Sequence, residues 1–152
     1  MPRTAVLRAD RLTVSFTLDK QKNGMYLSQV RVAVEPTVRD IAFASLEDYI
    51  ATEELQRLAK YLEDHIQELK VNPNHDSYVF LDEALTFQIQ ALSGDIGESG
   101  AGSFSVTVLV SSAESDDSHT RLYLGGSTTV TAKSAKEFIA NLNEITSESR
   151  TA

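Results

Sequence analysis

From Leu12 to Leu18 the chain alternates strictly, with Leu12, Val14, Phe16 and Leu18 on one side and Thr13, Ser15 and Thr17 on the other. A period of two with one apolar and one polar side marks a half-buried strand. "DKQKNG" follows and ends on Asn23-Gly24, two residues that tolerate positive φ. Val30, Val32 and Val34 then return in phase, so residues 12–34 predict an antiparallel hairpin. Pro36 lacks an N–H and limits further pairing, and the apolar piece from Val38 to Phe43 reads as one more short strand.

The period changes after Thr52. Leu55, Leu58, Leu62, Ile66 and Leu69 recur at steps of three and four, the stripe of an amphipathic helix. Thr52 fits the N-cap, Glu53 and Glu54 suit the positive first turn, and Glu53 stands four residues before Arg57. Asn72-Pro73-Asn74 ends the helix. Alternation resumes with Leu85, Phe87, Ile89 and Ala91, again with Phe104, Val106, Val108 and Val110, and again with Leu122 and Leu124. Gly125-Gly126 is expected to end or bend that last strand, with "STTVTA" continuing beyond it. Ser134 and Glu137 match a capping box ahead of Phe138, Ile139, Leu142 and Ile145, which form a second helical stripe, and "TSESRTA" reads as a frayed polar tail.

Strands therefore come in runs separated by helices, which predicts the α+β class. The expected architecture is a single antiparallel β-sheet of five to seven strands with two amphipathic helices on one face, in the order strands–helix–strands–helix. At 152 residues one domain is expected, spanning 1–147, with 148–152 as a disordered tail. No sequence repeat suggests otherwise.

Composition narrows the chemistry. With no cysteine, disulfides, thiolate catalysis and cysteine-ligated metals are excluded, and a reducing compartment is the fitting one. The net charge of −8 opposes nucleic acid and anionic membranes and steers a basic partner inward. "MPRTAVLRADRLTV" has no uninterrupted apolar core of a signal peptide, so a soluble, cytoplasmic protein is expected.

The densest glycine segment, "SGDIGESGAGSFSVTVLV" from 93 to 110, invites two catalytic readings. A phosphate cradle opens a helix and ends in Lys-Ser or Lys-Thr; here Asp95 and Glu98 are present, lysine is not, and a strand follows. A nucleophile elbow would place Ser99 on a strand-to-helix turn, whereas this context is strand to strand. A long hairpin loop accounts for the segment. The histidines, His65 on the helix flank, His75 after Asn74 and His119 in an acidic loop, show no metal-ligand spacing. The cluster Glu114, Asp116, Asp117 and His119 lacks the EF-hand pattern and reads as a solvated charge run. Tyr49, Tyr61, Tyr78 and Tyr123 fit half-buried packing better than a groove. No catalytic residue, cofactor or metal site is expected.

The helix "YIATEELQRLAKYLEDHIQEL", followed by "VFLDEALTFQIQAL", "SFSVTVLV" and "AKEFIANLNEI", resembles the WapI-like immunity family over residues 12 to 146. The resemblance is one of pattern and carries no catalytic residues. It implies a non-enzymatic inhibitor that blocks a basic toxin by surface complementarity. The expected function is thus a protein-binding domain whose contacts lie on acidic loops, at Asp95, Glu98, Glu114, Asp116 and Asp117. Two alternatives stand beside it. One is a homodimer or structural subunit that uses Val38, Ile41 and Phe43; the other is a small hydrolase or ligand-binding domain with a pocket the sequence does not advertise.

Overall fold

The computed structural model describes residues 1–35, 40–114 and 121–148, with the backbone alone described at 112–114 and 121. The class is α+β and all strand pairing is antiparallel, but there are two sheets in place of the single one expected. The first holds β1 (Arg3–Ala9), β2 (Leu12–Lys20), β3 (Met25–Val34), β4 (Ile41–Ala44) and β5 (Asp48–Ala51). It leads into α1 (Thr52–Val71). The second holds β6 (Phe80–Leu81), β7 (Phe87–Ile96), β8 (Gly102–Glu114) and β9 (Arg121–Thr131), and leads into α2 (Ala132–Glu148).

Both halves share one plan. In the first, β4 pairs with the end of β3 through Val34↔Ile41, and β5 pairs with its start through Tyr26↔Ile50. The two short strands thus fill one position of the sheet. Each sheet is then a meander of four positions, and each passes without a break into its helix, at Ala51–Thr52 and Thr131–Ala132.

One sheet fails as a solution because the two runs of alternation must both be covered. Phe16 of β2 meets Phe87 of β7 edge-on at 5.0 Å between ring centroids, and Phe138 of α2 lies 5.5 Å from Phe16. The apolar sides of the two sheets therefore share one core with the helices, and Phe16, Phe87, Phe104 and Phe138 are fully buried in it. Burying a side chain of that size contributes about 1.5–3 kcal/mol. The helices pack on each other, and α1 also covers β7 while α2 covers β1. Backbone bonds stitch the sheets at two places, Asp10 N–H to Thr129 O at 2.9 Å and Leu46 N–H to Ser111 O at 3.2 Å.

Several local expectations change. β1 belongs to the first sheet, although its alternation is too short to stand out. Ala51, not Thr52, is the N-cap of α1; the Thr52 hydroxyl donates to Gly24 O at 2.9 Å, and Glu54 accepts the Ala51 N–H at 2.8 Å. Arg57 turns away from Glu53 to donate to Leu81 O, with its guanidinium 4.3 Å from the Phe80 ring centre. Leu85 is not an inward strand residue: it adopts φ 58 in the turn before β7 and is exposed. Helix α2 begins two residues before Ser134, with Thr131 Oγ1 accepting the Ser134 N–H, and it runs through Glu148, so the tail is helical up to that residue. Gly125-Gly126 neither ends nor interrupts β9. A Cβ on Gly125 would stand 1.9 Å from Val108 O, so the glycine is there to let β9 lie against β8.

Candidate functional site

The glycine segment is mostly strand. β7 continues through Ile96 and β8 starts at Gly102, leaving a short turn, and the expected long loop shrinks to residues 97–101. Gly102 holds φ +136, and a Cβ there would stand 1.9 Å from Asp95 O, so this position accepts glycine alone. Against the turn lies the first part of α2. A cleft of about 660 Å³ between them is lined by Ser99, Gly100, Thr131, Lys133, Lys136 and Glu137. The helix start that a phosphate cradle needs is therefore near, although it comes from a distant part of the chain. Lys136 Nζ approaches Gly100 O at 3.5 Å, the lysines are exposed, and Glu137 shares the cleft with them. Ser99 is exposed in the turn and no histidine lines the cleft, so no elbow is assembled.

Asp95 and Glu98 are exposed at this end of β8. Glu114 is the last residue of β8, and its side chain is not described; Asp116, Asp117, His119 and Val38 lie outside the described residues. The strand has 13 residues, so its ends are about 40 Å apart at the usual rise per residue. The two acidic segments expected to make partner contacts thus leave from opposite ends of the second sheet.

At the Glu114 end the structure gathers groups that alternation alone could not connect. Leu46 N–H donates to Ser111 O, Ser111 N–H donates to Thr86 O, and the Tyr123 hydroxyl donates to Leu85 O at 2.9 Å. These bonds bring the β4–β5 bend, the turn before β7 and the start of β9 to one end of the molecule. Leu46 is 42 % exposed there, Leu85 37 % and Leu122 54 %. Glu47 and Glu83 are exposed beside them in sequence, and Glu83 N–H is held at 2.7 Å by the buried carboxylate of Glu54. The turn itself is rigid: Asp82, buried, accepts from Thr86 N–H at 2.8 Å and Phe87 N–H at 3.1 Å, and from the Thr86 hydroxyl. Burial raises the Asp82 pKa above the usual carboxylate value, and those donors pull it back.

A second, more polar cleft of about 280 Å³ lies beside α1 and the segment that leaves it. Tyr61, His65, His75, Asp76, Ser77 and Tyr78 line it, with Asp64 and Glu68 at its rim. Two of the four tyrosines weighed above thus do face a groove. His65 is 1 % exposed; its Nε2 lies 2.8 Å from Leu92 O and its Nδ1 2.7 Å from Ser77 Oγ. A carbonyl only accepts, so Nε2 carries the proton and Nδ1 accepts from the serine. Burial lowers the His65 pKa from 6.5, His75 adds to the lowering, and the Leu92 carbonyl opposes it. His75 Nε2 stands 3.3 Å from the same Ser77 Oγ. The Tyr61 hydroxyl donates to Tyr78 O at 2.6 Å and accepts from Ala91 N–H at 2.9 Å, and burial pushes its pKa up to about 12.

Sequence reasoning placed His65 and His75 on their elements but did not join them, and it passed over Ser77. Only the fold closes that distance. Among the described residues no three His, Asp or Glu side chains are arranged to hold a metal ion, and no helix is long and apolar enough to cross a membrane. No protein-family model matches the sequence, and neither a curated protein nor a solved structure is similar enough to count as a match, so function has to be read from the geometry.

Proposed function

We propose that this chain is a protein-binding domain, acting as an immunity-type inhibitor of a basic toxin. Its contact surface is the end of the molecule bearing Leu46, Leu85 and Leu122. The observation that carries this is their assembly: three separate chain segments present exposed leucines at one end, tied together by hydrogen bonds. Single exposed leucines are ordinary on protein surfaces, but a gathered set rimmed by carboxylates is the usual anatomy of a contact site. Glu47 and Glu83 supply that rim, and the net charge of −8 favours encounter with a positive partner. The resemblance to the WapI-like immunity family points the same way. This reading moves the contact surface away from Asp95 and Glu98, which sit at the far end beside Lys133 and Lys136.

The test is to purify the products of the reading frames flanking the coding sequence and to titrate each basic one against this chain by calorimetry. Tight binding is expected, lost in a Leu46→Asp/Leu122→Asp variant and kept in Asp95→Asn/Glu98→Gln. Full binding by the leucine variant sinks the assignment of the surface; no binding by any form sinks the immunity role. The homodimer alternative has an observation of its own, since Ile41 on the edge strand β4 is 45 % exposed. Sedimentation of the Ile41→Lys variant beside the wild type decides it.

A further inference from the structure

We infer that Ser77 is an activated nucleophile, with His65 as its general base, able to take an acyl group from an uncharged or cationic ester. This goes beyond the binding role and does not depend on it.

Nucleophilic catalysis by serine needs a base within hydrogen-bond reach, a third group that fixes the base, and open space beside the oxygen. All three are present. Ser77 Oγ is 2.7 Å from His65 Nδ1, and Leu92 O, at 2.8 Å from Nε2, holds the ring in the tautomer whose Nδ1 is free to accept. The serine is only partly covered and opens into the polar cleft. On its other side His75 Nε2, at 3.3 Å, is the group best placed to donate to an oxygen that gains charge. His65 is pinned in place: it is buried, and its ring lies 5.0 Å from that of Phe104.

The steps balance. The Ser77 O–H proton passes to His65 Nδ1 as Oγ bonds to the ester carbonyl carbon, whose π electrons move to its oxygen. The tetrahedral adduct collapses, the bond to the leaving oxygen breaks, and that oxygen takes the proton from His65. Water, deprotonated by the same nitrogen, then cleaves the acyl–Ser77 ester to release the acid and restore the hydroxyl. The ester class follows from the lining: Asp76 and Glu68, with Asp64 paired to Lys60 beside them, disfavour an anionic ester, while Tyr61 and Tyr78 offer ring surface to an uncharged one.

The rival reading makes Ser77 a tie between α1 and the segment leading to β6, with no reactivity. The experiment incubates the full chain with p-nitrophenyl acetate and follows nitrophenolate release, with peptide mass mapping of the acetylated product. One acetyl group per chain, trapped on Ser77 by acid quenching before water removes it, is expected; Ser77→Ala abolishes it, and His65→Gln slows its formation by about a hundredfold or more. Acetylation spread over lysines and the Met1 amine, at the same rate in wild type and Ser77→Ala, overturns the inference. The chain has no cysteine, which gives a second readout should His65→Gln fail to fold. The thiol of a Ser77→Cys variant should be alkylated by iodoacetamide at neutral pH at least about tenfold faster than that of Ser99→Cys in the exposed turn. An equal or slower rate also overturns it.

Discussion

The two halves of the chain run through the same succession, four sheet positions and then a helix, yet they fasten their helices by different means. Helix α1 reaches across to the second half with buried polar groups. Glu54 holds Glu83 N–H, Tyr61 bridges Tyr78 O and Ala91 N–H, and His65 bonds Ser77 and Leu92. Helix α2 is held chiefly by Phe138, Ile139, Leu142 and Ile145; the Tyr26 hydroxyl donates to Ile145 O at 3.2 Å, and the polar ties near the surface are Arg3 to Glu144 and Glu148 and Lys136 to Gly100 O. Apolar contact is strong but nearly indifferent to rotation, whereas a buried hydrogen bond is modest in net energy and strict in geometry. The difference explains why the reactive-looking cleft lies beside α1. Tyr61 and His65, the polar groups that register α1, also line that cleft.

Deleting the apolar anchor of α2 should have the largest effect. Phe138→Ala is expected to lower stability by about 3–5 kcal/mol, read from the midpoint of a denaturant curve with its slope unchanged. Tyr61→Phe removes no bulk, yet it leaves Ala91 N–H without its acceptor, and a loss of about 1–3 kcal/mol should follow. If Tyr61→Phe costs as much as Phe138→Ala, the contrast between the two helices fails. Glu54→Ala strips the start of α1 and the Glu83 tie, with an expected cost of about 0.5–2 kcal/mol.

His65 adds a pH dependence at the junction of α1 with the second half. Its folded pKa lies below the 6.5 of the free side chain, so the unfolded chain binds the proton more readily. Stability contributed by the neutral ring is full above 6.5, is lost as pH falls from there to the folded value, and is gone below it. Asp82 acts in the opposite sense. Its raised pKa favours the folded state as pH falls toward 3.8. Thermal melts between pH 7 and 5 should show a decline that His65→Gln abolishes; an unchanged decline in that variant would assign it to other groups. The smallest effect is expected at the contact end, where Leu122→Ser should change stability by no more than about 0.5 kcal/mol.

How far these features could be read from sequence follows the same division. Periodicity reports which side of an element is apolar, so the α1 stripe, the Leu12–Leu18 strand and the α2 stripe were legible, and so was the α+β class. Periodicity carries no information on which apolar sides face each other, and the split into two sheets was hidden for that reason. The partners of the Ser77 hydroxyl and the His65 ring are equally invisible along the chain, because twelve residues separate those two and Leu92 lies further still. Ala51 escaped notice as a cap because it has no polar side chain, and the capping oxygen comes from Glu54.

The stitches Asp10–Thr129 and Leu46–Ser111 lie on opposite borders of the first sheet, one at β1 and the other at β4. Sliding one sheet over the other would have to sever both and drag Phe16 across Phe87. Opening the Leu46 seam with the Asp10 seam as hinge severs one backbone bond, whereas the Asp10 seam is doubled by the Thr128 hydroxyl donating to Asp10 O, so parting the sheets at the Leu46 border breaks fewer bonds than sliding them.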